Sequence, residues 1–173
     1  MQQTYSTNIV RNVGITLLAL NTQSANAVPL HGDSSGWVHI LSEDLSQSKA
    51  AAFQARFDAE IRASRFALEN AKNLEDGWEG SGTLAPSIGA IIVADSFLQS
   101  LDSRVRPPEI SIGTDGEVNI FWRSAQLFVD LSFYNADGGK LYARVGKKKL
   151  RNLPPIKSMD QVPKEVFEAV AWR

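Results

Sequence analysis

Asp76, Glu79, Asp115 and Glu117 flank two glycine-bearing segments, Asp76-Gly77-Trp78-Glu79-Gly80 and Asp115-Gly116-Glu117. Carboxylates brought together by two loops could hold a divalent cation, or share general-acid and general-base work. Aspartate at a turn has a plainer role, accepting backbone N–H groups close by in sequence. That role is the expectation here, because nothing in the sequence fixes the four carboxylates in one geometry. His31, Asp33 and His39 are the other ligand-type residues. Their spacing matches no metal signature, so surface or packed histidines are expected. Trp78 and Trp122 could each offer a ligand platform, but a tryptophan beside a glycine loop more often closes one end of a core, its N–H on a carbonyl. Cysteine is absent, which excludes disulfides, thiolate metal sites and cysteine nucleophiles. No GxSxG elbow, P-loop, HExxH or EF-hand loop occurs. The reading is therefore a non-enzyme with no catalytic residues, no metal and no cofactor.

Charge is distributed more informatively than chemistry. Lys140, Arg144, Lys147, Lys148, Lys149, Arg151 and Lys157 bring seven positive charges, with no acid between Asp137 and Asp160. The rest of the chain then has 11 basic against 19 acidic residues, a net of −8, although the whole carries only −1. So small a net charge argues against non-specific binding of nucleic acid by the whole surface. A local basic face is another matter. Lys140, Tyr142 and Arg144 alternate along one strand, and Phe121, Arg123, Phe128 and Tyr134 share their side if the period of two holds. Candidate partner-binding residues are thus Lys140, Tyr142, Arg144, Lys147, Lys148, Lys149 and Arg151. They suit a protein partner with an acidic surface, the alternative being nucleic acid stacked on the aromatic rings. The plainer outcome is that other elements cover this face, leaving Lys147–Arg151 as a solvated turn.

These residues need a scaffold, and the sequence describes one. A chain of 173 residues that is 43% hydrophobic and 21% charged is neither disordered nor coiled-coil, and can bury a core without staples. The expectation is one α+β domain over 1–173, with 1–36 a possible N-terminal arm. Residues 9–20 read as a β-strand, 21–36 as a loop and Trp37–Leu41 as a second strand. Arg11, the short apolar run Val13–Leu20 and Ala25-Asn26-Ala27 form a weak signal-peptide pattern. With one charge in the first twelve residues and so short a run, a cytoplasmic location and no membrane segment are expected. A helix is predicted from Ser42 to about Asn73, its apolar stripe running through Ala50, Phe53, Phe57, Ile61, Ser64, Leu68 and Ala71. Ala85-Pro86-Ser87 opens a second, deeply buried helix. Alternating strands follow from Ile110 to Val145, separated by Thr114-Asp115-Gly116 and Asn135–Gly139 turns. A short helix from Pro163 to about Trp172 closes the chain. The fold class is an antiparallel β-meander of three to five strands on two helices; the pattern sets no oligomeric state.

The order Asp76-Gly77-Trp78-Glu79-Gly80, Ala85-Pro86 opening a helix, then Asp115-Gly116-Glu117 leading to Ile120-x-Trp122 resembles a group of small bacterial proteins common on phages, plasmids and genomic islands. They share a W(D/E)G-G…P loop and a DGE…W hairpin. The resemblance spans residues 74–135, and Glu79 stands where most members have aspartate. It implies a mobile-element setting, with an inhibitor, antitoxin, immunity or anti-defence role, and it transfers no catalytic residue.

Overall fold

A computed structural model describes residues 35–172 of the chain, with side chains described from Ser46 onwards. Residues from Ser46 onwards form one compact unit, and the site described below lies within it. The expected strand at 9–20 and nearly all of the expected arm fall outside the described residues.

The first helix, α1, runs from Ser35 to Ala71. It corrects the strand expected at Trp37–Leu41, which is helical. Val38 and Ile40 favour strands, but no glycine or proline interrupts the sequence from Trp37 to Ala71. Extending a helix already nucleated is cheap, so a moderate local preference for strand is overridden. Of the predicted stripe, Phe57, Ile61, Leu68 and Ala71 are buried, with the stripe's Ser64 half-buried between Ile61 and Leu68. Phe53 lies at the margin, its ring edge-on to Trp172 with centroids 5.2 Å apart. Phe66, off the stripe, is 69% exposed.

The helix α2, Ile88–Gln99, begins where Pro86 and Ser87 place it. The Ser87 hydroxyl accepts the Ala90 N–H at 3.1 Å, satisfying one of the first-turn amides that have no helical partner. It also donates to the Tyr134 carbonyl at 2.9 Å, pinning the helix start to the sheet. Ala90, Ile91, Ala94, Phe97 and Leu98 are buried, whereas Ile88 and Ile92 face outward, so the helix is less deeply enclosed than its composition suggests. Arg65 of α1 meets Asp95 of α2 at 2.7 Å, and this guanidinium holds the Asp95 carboxyl below the usual carboxylate range.

Five antiparallel strands follow in simple meander order: β1 (Glu109–Ile112), β2 (Val118–Arg123), β3 (Leu127–Phe133), β4 (Lys140–Val145) and β5 (Lys148–Leu150). Period-two alternation puts Val118, Ile120, Trp122, Leu127, Val129, Leu131, Phe133, Leu141 and Ala143 on one side, all buried. This inner side packs on α2, with Phe97 and Phe133 rings 6.1 Å apart, and on the last helix, α3 (Lys164–Val170), through β4. Phe57 and Ile61 join the same buried cluster as Leu131. The class is α+β with a meander sheet, as the alternation predicts. Among the described residues no helix is long and apolar enough to cross a membrane.

Candidate binding face of the sheet

With α2 and α3 on the inner side, the alternate residues of each strand point outward. The register fixes how they line up. One row across the sheet reads Glu109, Phe121, Asp130, Tyr142; the next reads Ser111, Asn119, Ser132, Lys140; the third reads Arg123, Phe128, Arg144, Lys149. Phe121, Phe128, Tyr142 and Arg144 are half-exposed, while Arg123, Lys140 and Lys149 are exposed. No described element lies over them. The outer face is therefore the one anticipated from alternation, with Phe121, Arg123 and Phe128 beside Lys140, Tyr142 and Arg144.

The aromatic centre is held by its neighbours. Phe128 and Tyr142 rings sit 6.0 Å apart at 57°. The Arg123 guanidinium lies 5.4 Å from the Phe121 ring centroid and forms a two-pronged ion pair with Glu109, at 3.1 and 2.8 Å. Such a fork fixes the guanidinium plane, so Arg123 shapes the rim of the aromatic patch.

The basic residues divide. Lys149 pairs across from Arg144 on the outer face, and Lys147 lies in the β4–β5 turn. Lys148 pairs across from Val145 and so belongs to the inner side, where its Nζ meets Glu165 of α3 at 2.7 Å. Arg151 is exposed just past β5. Lys140 stands at the other end of β4, its Nζ 5.3 Å from the Tyr134 ring centroid.

An acidic group, of which the sequence singled out only Glu117, occupies the centre and that other end. The Ser132 hydroxyl lies 2.9 Å from Asn119 Oδ1, 3.3 Å from Asp130 Oδ2 and 3.4 Å from Glu117 Oε1. Burial, with Glu117 nearby, pushes the Asp130 carboxyl up to about 6. Tyr134 hydrogen-bonds Glu117, which raises the phenol well above its ordinary value. The alternation was visible in the sequence; that Glu117, Asn119, Asp130 and Ser132 converge depends on register between β2 and β3, which alternation does not reveal.

The two glycine loops do meet. Leu84 N donates to Thr114 O at 2.9 Å, and Leu84 bridges to Asp115. Asp115 Oδ1 accepts the Glu117 N–H at 3.4 Å, the turn-capping role expected of it, whereas Asp76 Oδ1 accepts the Ala85 N–H at 2.9 Å, nine residues on, and so ties the two ends of its loop together. Among the described residues no group of three or more His, Asp or Glu could hold a metal ion. His31 and Asp33 fall outside the described residues, as does the His39 side chain. Trp78 Nε1 donates to Leu84 O at 3.2 Å, and Trp122, buried on the inner side, to Arg106 O at 2.6 Å. Both indole N–H groups are satisfied, but only Trp122 belongs to the core; Trp78 is half-buried in its loop, outside the core cluster.

No family model, curated protein or solved structure matches this chain.

Proposed function

We propose that the chain is a non-enzymatic binding module that engages a protein partner with an acidic surface through the outer face of its sheet. In this reading it acts by occupying that surface, as an inhibitor, antitoxin, immunity or anti-defence protein of a bacterial mobile element would. The observation supporting it is the aromatic centre, Phe121, Phe128 and Tyr142, over which no described element lies, bordered by Arg144, Lys147, Lys149 and Arg151. Aromatic residues and arginine at the centre with charge at the rim is the usual anatomy of a protein interface. Net charge near zero with local segregation suits oriented encounter rather than general adhesion.

A second reading, single-stranded nucleic acid stacked on the same rings, is supported by three aromatic side chains on adjacent strands beside cations. Asp130 and Glu117 on the same face weigh more against it than against the protein partner, because a phosphate backbone laid along the sheet carries charge over its whole length, whereas an acidic patch on a protein need only meet the basic end.

The test is charge reversal at Arg144, Lys147, Lys149 and Arg151 to glutamate. The expected outcome is an unchanged melting temperature and partner capture reduced about tenfold at low salt, the deficit shrinking as salt rises. A folded variant that captures its partner normally removes the proposal. Bound material that absorbs as nucleic acid, with affinity falling steeply and linearly on a log–log salt plot, selects the second reading.

A further inference from the structure

In a meander, alternate turns lie at the same end of the sheet. The β1–β2 and β3–β4 turns share one end, which carries Asp115, Glu117 and Asp137 with Lys140 as its single cation among the face and turn residues. The β2–β3 and β4–β5 turns share the other, which carries Arg123, Arg144, Lys147 and Lys149. Arg123 is neutralised by Glu109, and the remaining three are exposed or half-exposed cations. The outer face thus has an acidic end, an aromatic centre and a basic end.

We propose that the outer sheet face docks on the same face of a second copy of this chain, forming a two-fold dimer in which the basic end of each sheet lies on the acidic end of the other. The inference goes beyond the partner reading above and does not rest on it. A two-fold interface must be self-complementary, since any patch meeting another is met by it in return. A face with opposite charges at opposite ends satisfies that condition when turned end for end. Phe121, Phe128 and Tyr142 then meet near the axis, where apolar contact is best shielded. A net charge of −1 leaves no long-range repulsion between copies. Five strands spaced about 4.8 Å apart and averaging about five residues present a footprint of about 400 Å². That is below the roughly 800 Å² per partner of a stable interface, so the dimer is reversible, with a dissociation constant of about 1–100 μM. A reversible dimer keeps the aromatic face out of water and yields it to a tighter partner.

The experiment is analytical ultracentrifugation of the full chain over a concentration series, alone and in mixtures. One variant, Arg144→Glu with Lys149→Glu, makes both ends acidic; another, Glu117→Lys with Asp137→Lys, makes both ends basic. The expected result is a concentration-dependent dimer for the unaltered chain, dimerisation at least about tenfold weaker for either variant alone, and recovery of a dimer when the two are mixed. Melting curves establish that each variant is folded, and recovery on mixing cannot come from misfolded protein. A monomer at all concentrations overturns the proposal, as does a dimer indifferent to both variants. Because no partner is present, a monomeric chain that still captures its partner overturns this inference and leaves the proposed function standing.

Discussion

Asp130 shows what the outer face costs the fold. Its carboxyl ionises near pH 6 in the folded chain against 3.8 in the ordinary state, chiefly through burial and secondarily through Glu117. A raised carboxyl means that the folded state binds the proton more tightly than the unfolded state. Its contribution is favourable below about pH 3.8 and is lost as pH rises through about 6. Two units correspond to about 3 kcal/mol, and with the face partly open to water about 1–2 kcal/mol is the appropriate expectation. Asp130→Asn should therefore raise stability at pH 7 by that amount and flatten the decline between pH 4 and 6, read from chemical unfolding at each pH. Asp95 and Asp102, held low by Arg65 and Arg104, act in the opposite sense, losing their contribution as pH falls below the ordinary carboxylate range. They leave this window to Asp130. A native residue that costs stability where substitution would relieve it is one reason to assign the face a role beyond folding.

Gly116 is the residue at which the two loops touch. Its φ is +79°, and a Cβ there would stand 2.7 Å from the Ala85 carbonyl oxygen. Both the backbone region and the space exclude a side chain. Gly116→Ala should cost about 1–3 kcal/mol, measured as a shift of the urea midpoint. Gly80, at φ +137° with open space around the position, carries only the backbone penalty. Gly80→Val should lose about 1 kcal/mol, and equal losses at the two positions would show that contact with Ala85 contributes nothing.

Among the elements, those whose apolar period matched their secondary structure were legible. The strands from β1 to β4 follow from strict alternation, and α2 from Pro86-Ser87 ahead of an apolar run. Two features were not. Residues 37–41 carry strand-forming side chains but lie in uninterrupted helical sequence, and continuity prevailed over local preference. The last strand, β5, has one apolar residue in three and reads as a solvated turn. It forms because Gly146 takes φ +59°, the positive value that a tight hairpin turn demands, so that Lys148–Leu150 fold back on β4. That pairing moves Lys149 onto the outer face and Lys148 off it, a division invisible in a run of three lysines. The core, by contrast, can be tested as it was read. Phe57→Ala or Leu131→Ala should each cost about 2–5 kcal/mol by removing buried rings or methyls from one shared cluster. Thermal melts unaltered by both would mean that α1 and the sheet do not form one core.

At the scale of the whole molecule, the chain is closed by residues 104–106 rather than by the sheet. Val105 bridges Ala171, Arg106 N donates to Val170 O at 3.0 Å, and Trp172 N donates to Arg104 O at 3.0 Å. The Arg106 guanidinium reaches the Ala169 and Val170 carbonyls at 3.1 and 3.3 Å, at the end of α3, where carbonyls lack helical partners and the dipole favours a cation. The Arg106 carbonyl meanwhile accepts the Trp122 indole N–H at 2.6 Å, which links this clasp to the inner side of β2. One residue thus joins α3, the segment before the sheet and the sheet itself. Arg106→Ala leaves the Ala169 carbonyl without its donor, while the Val170 carbonyl keeps the Arg106 backbone N–H, so a loss of about 1–3 kcal/mol is expected. Arg106→Lys keeps the charge and forfeits the fork, and should recover only part of it. Ending the chain at Val162 removes Val166 and Val170, both fully enclosed, and exposes their partners on β4. That truncation should abolish a cooperative thermal transition, whereas reversing Arg144, Lys147, Lys149 and Arg151 should leave the transition in place. If the truncated chain melts as sharply as the full one, α3 is an appendage and the clasp at Arg106 is dispensable. If the charge reversal unfolds the protein instead, those cations belong to the fold, and the outer face loses its claim to a partner.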